Sequence, residues 1–339
     1  MQGGGPALED GGQLRASGTS RVDDVSAANR PLSRRAGPRP DHLRDAEGMV
    51  EKRGRRLRSG SLGAALAWIG PSYAIFLAIM AFPAVWNVAI SFFSVSYGRD
   101  SFVGLANYRA ILGSGQFYSS LWLTLYWTAS VMVGQFLVGL GLALLFNRPL
   151  WVTKYLRPLI VIPWALPGIV AATSWTFLYS QNGLVDQVLK SLLGIAPAWL
   201  SSPTLAMPAV IIAGIWKGAP FYFLMLLAGL QSIPRELLEA AQVDGARRLR
   251  VLVSIELPYI ANVLTVTLIL GLIWTANYFD GIYLMTQGGP INATMTLPIW
   301  IYNTAFSSFD LSEASALSVI LLLIVLVLAV PALGRREAT

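Results

Sequence analysis

Six long apolar segments dominate the pattern of hydrophobic and polar positions along the chain. A helix of about 20 apolar residues, at roughly 1.5 Å per residue, crosses the roughly 30 Å hydrocarbon core of a bilayer. Backbone groups in lipid must find partners within the chain, and the alternating pattern of a membrane β-barrel is absent, so we predict transmembrane helices. The predicted spans are 62–93, 117–146, 155–179, 206–230, 260–279 and 314–333.

The composition supports this all-α integral membrane class with six transmembrane helices. Hydrophobic residues make up 55% of the 339 residues and charged residues 13%, against about 25% charged residues in a typical soluble domain. The chain has no cysteine and a single histidine, His42. Disulfides, thiol nucleophiles and multi-histidine metal centres are therefore excluded, and we predict no catalytic and no metal-binding residues.

Basic residues are concentrated on one side of the predicted spans. Residues 1–60 hold 12 Lys/Arg and 8 Asp/Glu and are rich in Gly, Ser and Pro, which predicts a disordered basic tail. A six-helix transmembrane domain is predicted over 61–335. By the positive-inside rule the tail and the short basic loops are cytoplasmic, and so are both termini. The basic end of the tail suits contact with membrane lipid. We disfavour the alternative of a nucleic-acid-binding arm.

Two predicted spans contain residues that are unusual in a membrane helix. Pro158, Pro163 and Pro167 free backbone groups in the third span, which indicates either a kinked packing helix or a helix that bends during a conformational cycle. Lys217 lies well inside the fourth span, where a cation is costly unless it is paired or hydrated. We expect it to pair with Asp280 or to be hydrated in an outward vestibule. The alternative is contact with an anionic substrate.

The cytoplasmic loop at 234–258, between the fourth and fifth spans, is the most informative segment. Pro234 suits the first turn of a short helix, Gly245 allows a sharp bend, and a second short basic helix follows. By itself this pattern is also typical of an amphipathic hairpin at the membrane surface. The loop carries several residues in a distinctive order and spacing: Glu239, Ala240, Ala241, Asp244, Gly245, Leu257 and Pro258.

These residues resemble the coupling-loop motif of inner-membrane permease subunits of bacterial ATP-binding-cassette importers. Leu249 and Leu252 stand where that family often has aromatic residues. Three further segments, 102–108, 216–221 and 280–290, resemble the maltose- and glycerol-3-phosphate-type carbohydrate importers. The resemblance implies the type I importer permease fold, with a cytoplasmic coupling helix, in the inner (plasma) membrane of a bacterium.

The resemblance also implies that this chain forms half of a heterodimeric translocation pore and holds no cofactor. The implied partners are a second permease subunit, a cytoplasmic ATPase dimer and an extracytoplasmic solute-binding protein, and the implied substrate is a carbohydrate. The sequence has no G-x-x-x-x-G-K-[ST] phosphate-binding loop. We therefore expect that the chain is not an enzyme and that ATP and Mg are bound by the partner ATPase, which docks at 234–258.

The substrate pathway is expected near the middle of the bilayer, between the fourth and fifth spans. Aromatic faces contact the C–H surfaces of sugars, and polar groups bond their hydroxyls. By position in the resemblance, the candidates are Trp216, Gly218, Phe221, Trp274, Thr275 and Tyr278, to which we add their neighbour Asn277 and the cation inside the fourth span, Lys217. The alternative for each aromatic residue is membrane packing. The alternative function is an ion-coupled secondary transporter of small polar solutes, but the spans contain no paired carboxylates.

Overall fold

The computed structural model describes residues 61–96, 99–148, 151 and 153–334. The predicted tail at 1–60 and the basic pair Arg335 and Arg336 lie outside the described residues. The chain divides into two units, Met1–Ala74 and Ile75–Thr339. In the first unit, Ser72 Oγ donates to the carbonyl of Ile69 at 2.8 Å within the first helix. All other contacts given below lie within the second unit.

Helices form most of the described chain, because apolar segments in lipid satisfy their backbone groups internally. In chain order they are α1 (Ser61–Phe76), α2 (Phe82–Ile90), α3 (Ala106–Leu112), α4 (Gly115–Phe146), α5 (Thr153–Ala165), α6 (Gly168–Leu178), α7 (Leu184–Leu193), α8 (Ala206–Gln231), α9 (Arg235–Val243), α10 (Arg248–Val251), α11 (Leu257–Tyr259), α12 (Ala261–Ala276), α13 (Asp280–Thr286), α14 (Leu297–Tyr302) and α15 (Leu311–Gly334). Short π-helical stretches occupy Leu77–Ala81, Leu252–Glu256 and Asn303–Ser307. Strands β1 (Phe93–Ser96) and β2 (Arg99–Phe102) pair antiparallel.

Five helical segments within the described ranges are long and apolar enough to cross a membrane. They correspond to the first, second, fourth, fifth and sixth predicted spans and cover Ala67–Ile90, Gly115–Phe146, Ala206–Gln231, Ala261–Thr286 and Leu311–Val330. The prediction of an all-α, multi-pass membrane protein is therefore confirmed.

The third predicted span is not one helix. α5 and α6 meet at a bend of 95°, and they make a sixth crossing only as one broken span. Pro167, between them, has no N–H group, so the carbonyl of Pro163 loses the donor that a continuous helix would give it. The expectation of a single helix over 155–179, kinked by its prolines, is wrong: the chain breaks and changes direction.

α4 and α8 pack closely at positions where one of them has glycine. A Cβ at Gly139 would lie 2.6 Å from Cβ of Tyr222 and 2.9 Å from the backbone nitrogen of Phe223, and a Cβ at Gly214 would lie 2.6 Å from the Trp127 ring. Small residues let helix backbones approach one another within a membrane. This contact fixes two walls of the cavity described next.

Candidate functional site in the membrane and at the cytoplasmic loop

A cavity of about 190 Å³ lies between α4, α8 and α12, with the end of α5 closing one side. Its lining combines aromatic rings and glycines with few polar groups, the usual composition of a small-molecule site. The lining residues are Trp127, Val131, Gln135, Trp164, Gly214, Lys217, Gly218, Phe221, Tyr222, Gly271, Trp274, Thr275 and Tyr278.

Aromatic rings pack against one another to form the cavity walls. Trp127 stacks on Tyr278 with centroids 5.6 Å apart and planes at 15°. Phe221 meets Trp274 edge to face at 4.9 Å. Trp164, near the end of α5, stacks on Phe221 with centroids 6.4 Å apart. The rings therefore come from four different helices or their ends, and flat apolar faces border the cavity.

Two hydrogen bonds hold α4 against its neighbours at the cavity. Trp127 Nε1 donates to the carbonyl of Thr275 at 3.0 Å, and Gln135 Nε2 donates to the carbonyl of Gly214 at 3.0 Å. A side chain at Gly218 would overlap the Gln135 amide, so the glycine leaves room for that amide. Both hydrogen bonds join α4 to a neighbouring helix, and they thereby fix the positions of α4, α8 and α12 around the cavity.

The Tyr222 hydroxyl differs from the other polar groups of the lining. Tyr222 is 1% exposed, and its oxygen has no hydrogen-bond partner in the described part of the chain. The oxygen lies against Gly271, where a side chain would overlap it. Buried polar groups nearly always have a partner in protein, water or ligand, and a missing partner costs roughly 1–3 kcal/mol. Tyr222 lines the cavity, and its oxygen is enclosed by protein atoms in this conformation.

Lys217 lines the cavity and is bonded to the end of α5. Its Nζ donates to three backbone carbonyls, those of Pro163 (3.0 Å), Trp164 (3.0 Å) and Leu166 (2.5 Å). These backbone partners replace the expected pairing with Asp280. The Asp280 carboxylate lies instead beside Gly168, where a Cβ would be 3.2 Å from Oδ2.

Six of the eight residues predicted for the substrate pathway line this one cavity: Lys217, Gly218, Phe221, Trp274, Thr275 and Tyr278. The other two lie elsewhere. Trp216 packs edge to face on Trp175 with centroids 5.7 Å apart. Asn277 borders a separate apolar cavity of about 500 Å³ against α14 and α15, and its Nδ2 donates to the carbonyl of Ile273 at 2.8 Å. A role in substrate passage stays a prediction for all eight.

The remaining lining residues are not among the sequence candidates: Trp127, Val131, Gln135, Trp164, Gly214, Tyr222 and Gly271. Gln135 could have been predicted from the sequence, because an amide inside an apolar span is costly unless it faces the protein interior. The others are apolar, aromatic or glycine residues in apolar segments, and no spacing rule separates them from residues that face lipid. Their position depends on contacts between α4, α5, α8 and α12.

The loop at 234–258 forms two short helices with a sharp bend between them. At the end of α9, the backbone N–H of Gly245 donates to the carbonyl of Gln242 and that of Ala246 to the carbonyl of Ala241, each at 3.0 Å. Gly245 has a φ of +71°. A helix that ends with this pair of bonds needs a left-handed residue at that position, and glycine adopts it without strain.

Apolar side chains are exposed on the outer surface of this loop. Val243, at the end of α9, is 88% exposed, and Leu249, in α10, is 72% exposed. Of the predicted coupling residues, the exposed ones are Glu239, Ala240, Asp244, Gly245 and Pro258. Ala241 is buried and Leu257 is half-buried. The apolar side chains of Val243 and Leu249 are both open to contact with a partner protein.

Ionisable groups in the described ranges form no cluster of three or more His, Asp or Glu residues that could hold a metal ion.

At the base of the loop, burial raises the pKa of Glu256, and the positive charge of Arg248 opposes that rise. This carboxylate–guanidinium attraction links α10 to the π-helical stretch that precedes α11.

The apolar helical spans, the cavity between them and the exposed loop fit a membrane permease. Residues 135–336, more than half of the chain, match the family of binding-protein-dependent transport system inner membrane components, and the chain belongs to this family. It is accordingly a permease subunit, a multi-pass component of the inner membrane. The subunits of this family are not themselves ATPases.

Several relatives are similar over most of their length. The chain is 38% identical to the sulfoquinovosyl glycerol transport system permease protein SmoG of Agrobacterium fabrum, over 76% of this chain and 85% of that protein. It is 39% identical to the trehalose/maltose transport system permease protein MalF of Thermococcus litoralis, over 66% and 76% respectively. It is 32% identical to the trehalose transport system permease protein SugA of Mycobacterium tuberculosis, over 82% and 89%.

A solved structure shares the fold. A chain of a bacterial ABC transporter involved in the import of the acidic polysaccharide alginate superposes with a TM-score of 0.71 at 23% identity, over 81% of this chain and 95% of that chain. The predicted type I importer permease fold is therefore confirmed. Together the comparisons support a permease subunit rather than an ion-coupled secondary transporter.

Proposed function

We propose that this chain forms one half of a heterodimeric pore that imports a carbohydrate into a bacterial cell. A separate ATPase dimer binds ATP and Mg and docks at the 234–258 loop, while a second permease subunit completes the pore. A sugar is supported by the names of the relatives, which refer to sulfoquinovosyl glycerol, trehalose and maltose. Delivery by an extracytoplasmic solute-binding protein is supported by a related transporter seen with an alginate pentasaccharide-bound periplasmic protein.

The aromatic cavity between α4, α8 and α12, with Tyr222 in its lining, is the observation that carries the proposal. A sugar has apolar C–H faces and many hydroxyls. The rings of Phe221, Trp274 and Tyr278 offer faces for the former, and the Tyr222 hydroxyl, which has no partner in the described part of the chain, would bond the latter once the lining opens around a sugar. An ion would require carboxylates or several inward-pointing carbonyls, whereas this lining provides neither as free groups.

The arrangement of charge supports the proposed topology. We place the tail at 1–60 and both termini in the cytoplasm, and we assign 61–335 to the six-helix domain with the coupling loop at 234–258 inside it. Arg148 lies between α4 and α5, and Arg157, in the first turns of α5, donates from Nη2 to the carbonyl of Phe146 at 3.0 Å. Basic residues also fill the coupling loop. Under the positive-inside rule these two loops lie on the cytoplasmic side.

The docking part of the proposal is tested by changing exposed apolar residues of the loop. We expect Val243→Asp combined with Leu249→Asp to prevent copurification of the ATPase and to abolish uptake, because both side chains are exposed and would be buried by a docked partner. The matched control is Leu192→Asp, since Leu192 is 74% exposed on α7, away from this loop. Unchanged copurification in the double variant would contradict docking at 234–258.

The cavity part is tested by Tyr222→Phe, which removes the hydroxyl and keeps the ring. We expect the apparent affinity for the transported sugar to fall by about fivefold, the equivalent of about 1 kcal/mol for one hydrogen bond. Thr128→Val is the control, because Thr128 also has a buried, unpartnered hydroxyl but does not line the cavity. Equal uptake kinetics in Tyr222→Phe and the unmodified transporter would exclude the hydroxyl from the pathway.

A further inference from the structure

The break between α5 and α6 leaves backbone groups without helical partners in the middle of the membrane domain. The last carbonyls of α5 have no N–H donors four residues later, and the first N–H groups of α6 have no carbonyls four residues earlier. An unsatisfied backbone group in the hydrocarbon region costs several kcal/mol. Groups from other parts of the chain that lie at the two ends of the break offset part of this cost.

Lys217 satisfies the carboxyl end of α5. An ammonium group has three protons to donate, and Lys217 Nζ contacts three carbonyls of the broken segment, those of Pro163, Trp164 and Leu166. The positive charge also lies at the negative end of the α5 dipole. All three donors are thereby used within the chain, which leaves none for a solute anion.

Asp280 lies at the opposite side of the break. Its carboxylate is beside Gly168, the first residue of α6. A Cβ atom placed on Gly168 would lie 3.2 Å from Oδ2 of Asp280. A negative charge at the amino end of a helix is favourable because the helix dipole is positive there. Lys217 on α8 and Asp280 at the start of α13 thus face the two new helix ends with charges of the stabilising sign.

We propose that Lys217 and Asp280 act as a pair of oppositely charged supports that hold the broken third span and thereby place Trp164 on the wall of the cavity. Lys217 is thus a positioning residue and not the ligand of an anionic substrate. The inference rests on the proposed function only in treating the cavity as part of the solute pathway.

Trp164 connects the two supports to the cavity. Its carbonyl is one of the three that Lys217 holds, and its ring lines the cavity and stacks on Phe221 at 25° between planes. Lys217 itself lies on the same helix as Phe221, four residues earlier. Loss of the Lys217 donors would release the end of α5 and let the Trp164 ring leave Phe221.

The absence of natural cysteines allows the position of α5 to be measured directly. Trp164→Cys and Phe221→Cys are introduced together, and a short bifunctional thiol reagent is applied to membranes that contain the full chain. We expect efficient cross-linking with Lys217 present and about tenfold less with Lys217→Met, because charge-assisted hydrogen bonds stabilise by at least that factor. Lys217→Arg, which keeps the charge and the donors, should restore most of the yield. Asp280→Asn should lower it and Asp280→Glu should not.

Lys190→Met is the matched control, because it removes a lysine from α7, outside the cavity lining. If Lys217→Met fails to fold, Lys217→Gln, which retains two donors, takes its place and should give an intermediate yield. An unchanged yield in these variants would overturn the proposal. In uptake assays the proposal expects the same fractional loss for a neutral and an anionic sugar, so a loss confined to the anionic sugar would also overturn it. The cross-linking needs neither ATPase nor sugar, so its failure is distinguishable from failure of the proposed transport function.

Discussion

Two threonines one turn apart on α4 allow the contribution of a single buried hydrogen bond to be isolated. Thr124 and Thr128 are 3% and 5% exposed. Thr124 Oγ1 accepts the backbone N–H of Leu297 at 2.8 Å and donates to the carbonyl of Ser120 at 2.7 Å. Thr128 Oγ1 has no hydrogen-bond partner in the described part of the chain. Substitution by valine keeps the branched shape of either side chain and removes only its hydroxyl.

The two valine variants should therefore change stability in opposite directions. Thr124→Val leaves the N–H of Leu297 buried without an acceptor. Hydrogen bonds between membrane helices contribute about 0.6 kcal/mol on average and up to about 1.7 kcal/mol, and an orphaned buried donor costs roughly 1–3 kcal/mol. We expect a loss of about 1–2 kcal/mol. Thr128→Val removes an unsatisfied buried hydroxyl, so we expect no loss and a gain of up to about 1 kcal/mol.

The measurement is the unfolding free energy of the purified chain in mixed micelles, titrated with a denaturing detergent and followed by tryptophan fluorescence. Thr124→Val should unfold at a lower detergent fraction than the unmodified chain, and Thr128→Val at the same or a higher fraction. Equal destabilisation by the two variants would refute the reasoning, because it would mean that the loss of any buried hydroxyl, not the orphaned Leu297 N–H, determines the effect.

Two further pairs of variants test glycine positions. Gly139→Ala should destabilise the α4–α8 contact by about 1–3 kcal/mol, because its Cβ would lie 2.9 Å from the Phe223 backbone nitrogen. Gly141→Ala, with open space around it, should be neutral or stabilising in the same detergent titration. An equal effect of the two variants would count against close backbone packing. Gly245→Ala and Gly194→Ala both force alanine into φ +71°, and each should lower the unfolding free energy by about 1 kcal/mol. Only Gly245→Ala should reduce copurification of the ATPase. A similar reduction by Gly194→Ala would show a general folding defect.

The hydrophobic pattern predicted the features that depend on the local sequence, such as the membrane spans. Apolar length is sufficient to locate five spans, with ends that agree to within seven residues, because lipid leaves a long apolar segment little choice but a helix. The helix end at Gly245 was similarly accessible, since a glycine after a short helix indicates the left-handed turn found there. Five cavity residues, Trp274 among them, were reached through the family resemblance, and Lys217 was singled out because a cation inside an apolar span is costly.

The features that the pattern did not predict depend on contacts between distant segments. Prolines indicate a bend but not its size, and the 95° turn is possible because Lys217, more than 50 residues later, takes the freed carbonyls. The contribution of α4 was missed for the same reason. Trp127 faces the cavity because its indole donates to the carbonyl of Thr275, 148 residues away. Sequence periodicity along α4 cannot distinguish that face from one that meets lipid.

Polar groups inside the apolar spans are of two kinds, and the distinction bears on how a chain that is stable in lipid can pass a polar solute. Gln135 and Lys217 in the cavity lining, and Thr124 outside it, have their partners within the chain, so they hold the helices in place and do not compete for the solute. Tyr222 keeps an unpartnered hydroxyl in the cavity. A pathway must bind its solute strongly enough to admit it and weakly enough to release it. Aromatic faces with few free polar groups meet both conditions for a sugar. We therefore expect discrimination among sugars to depend chiefly on the solute-binding protein and less on this cavity.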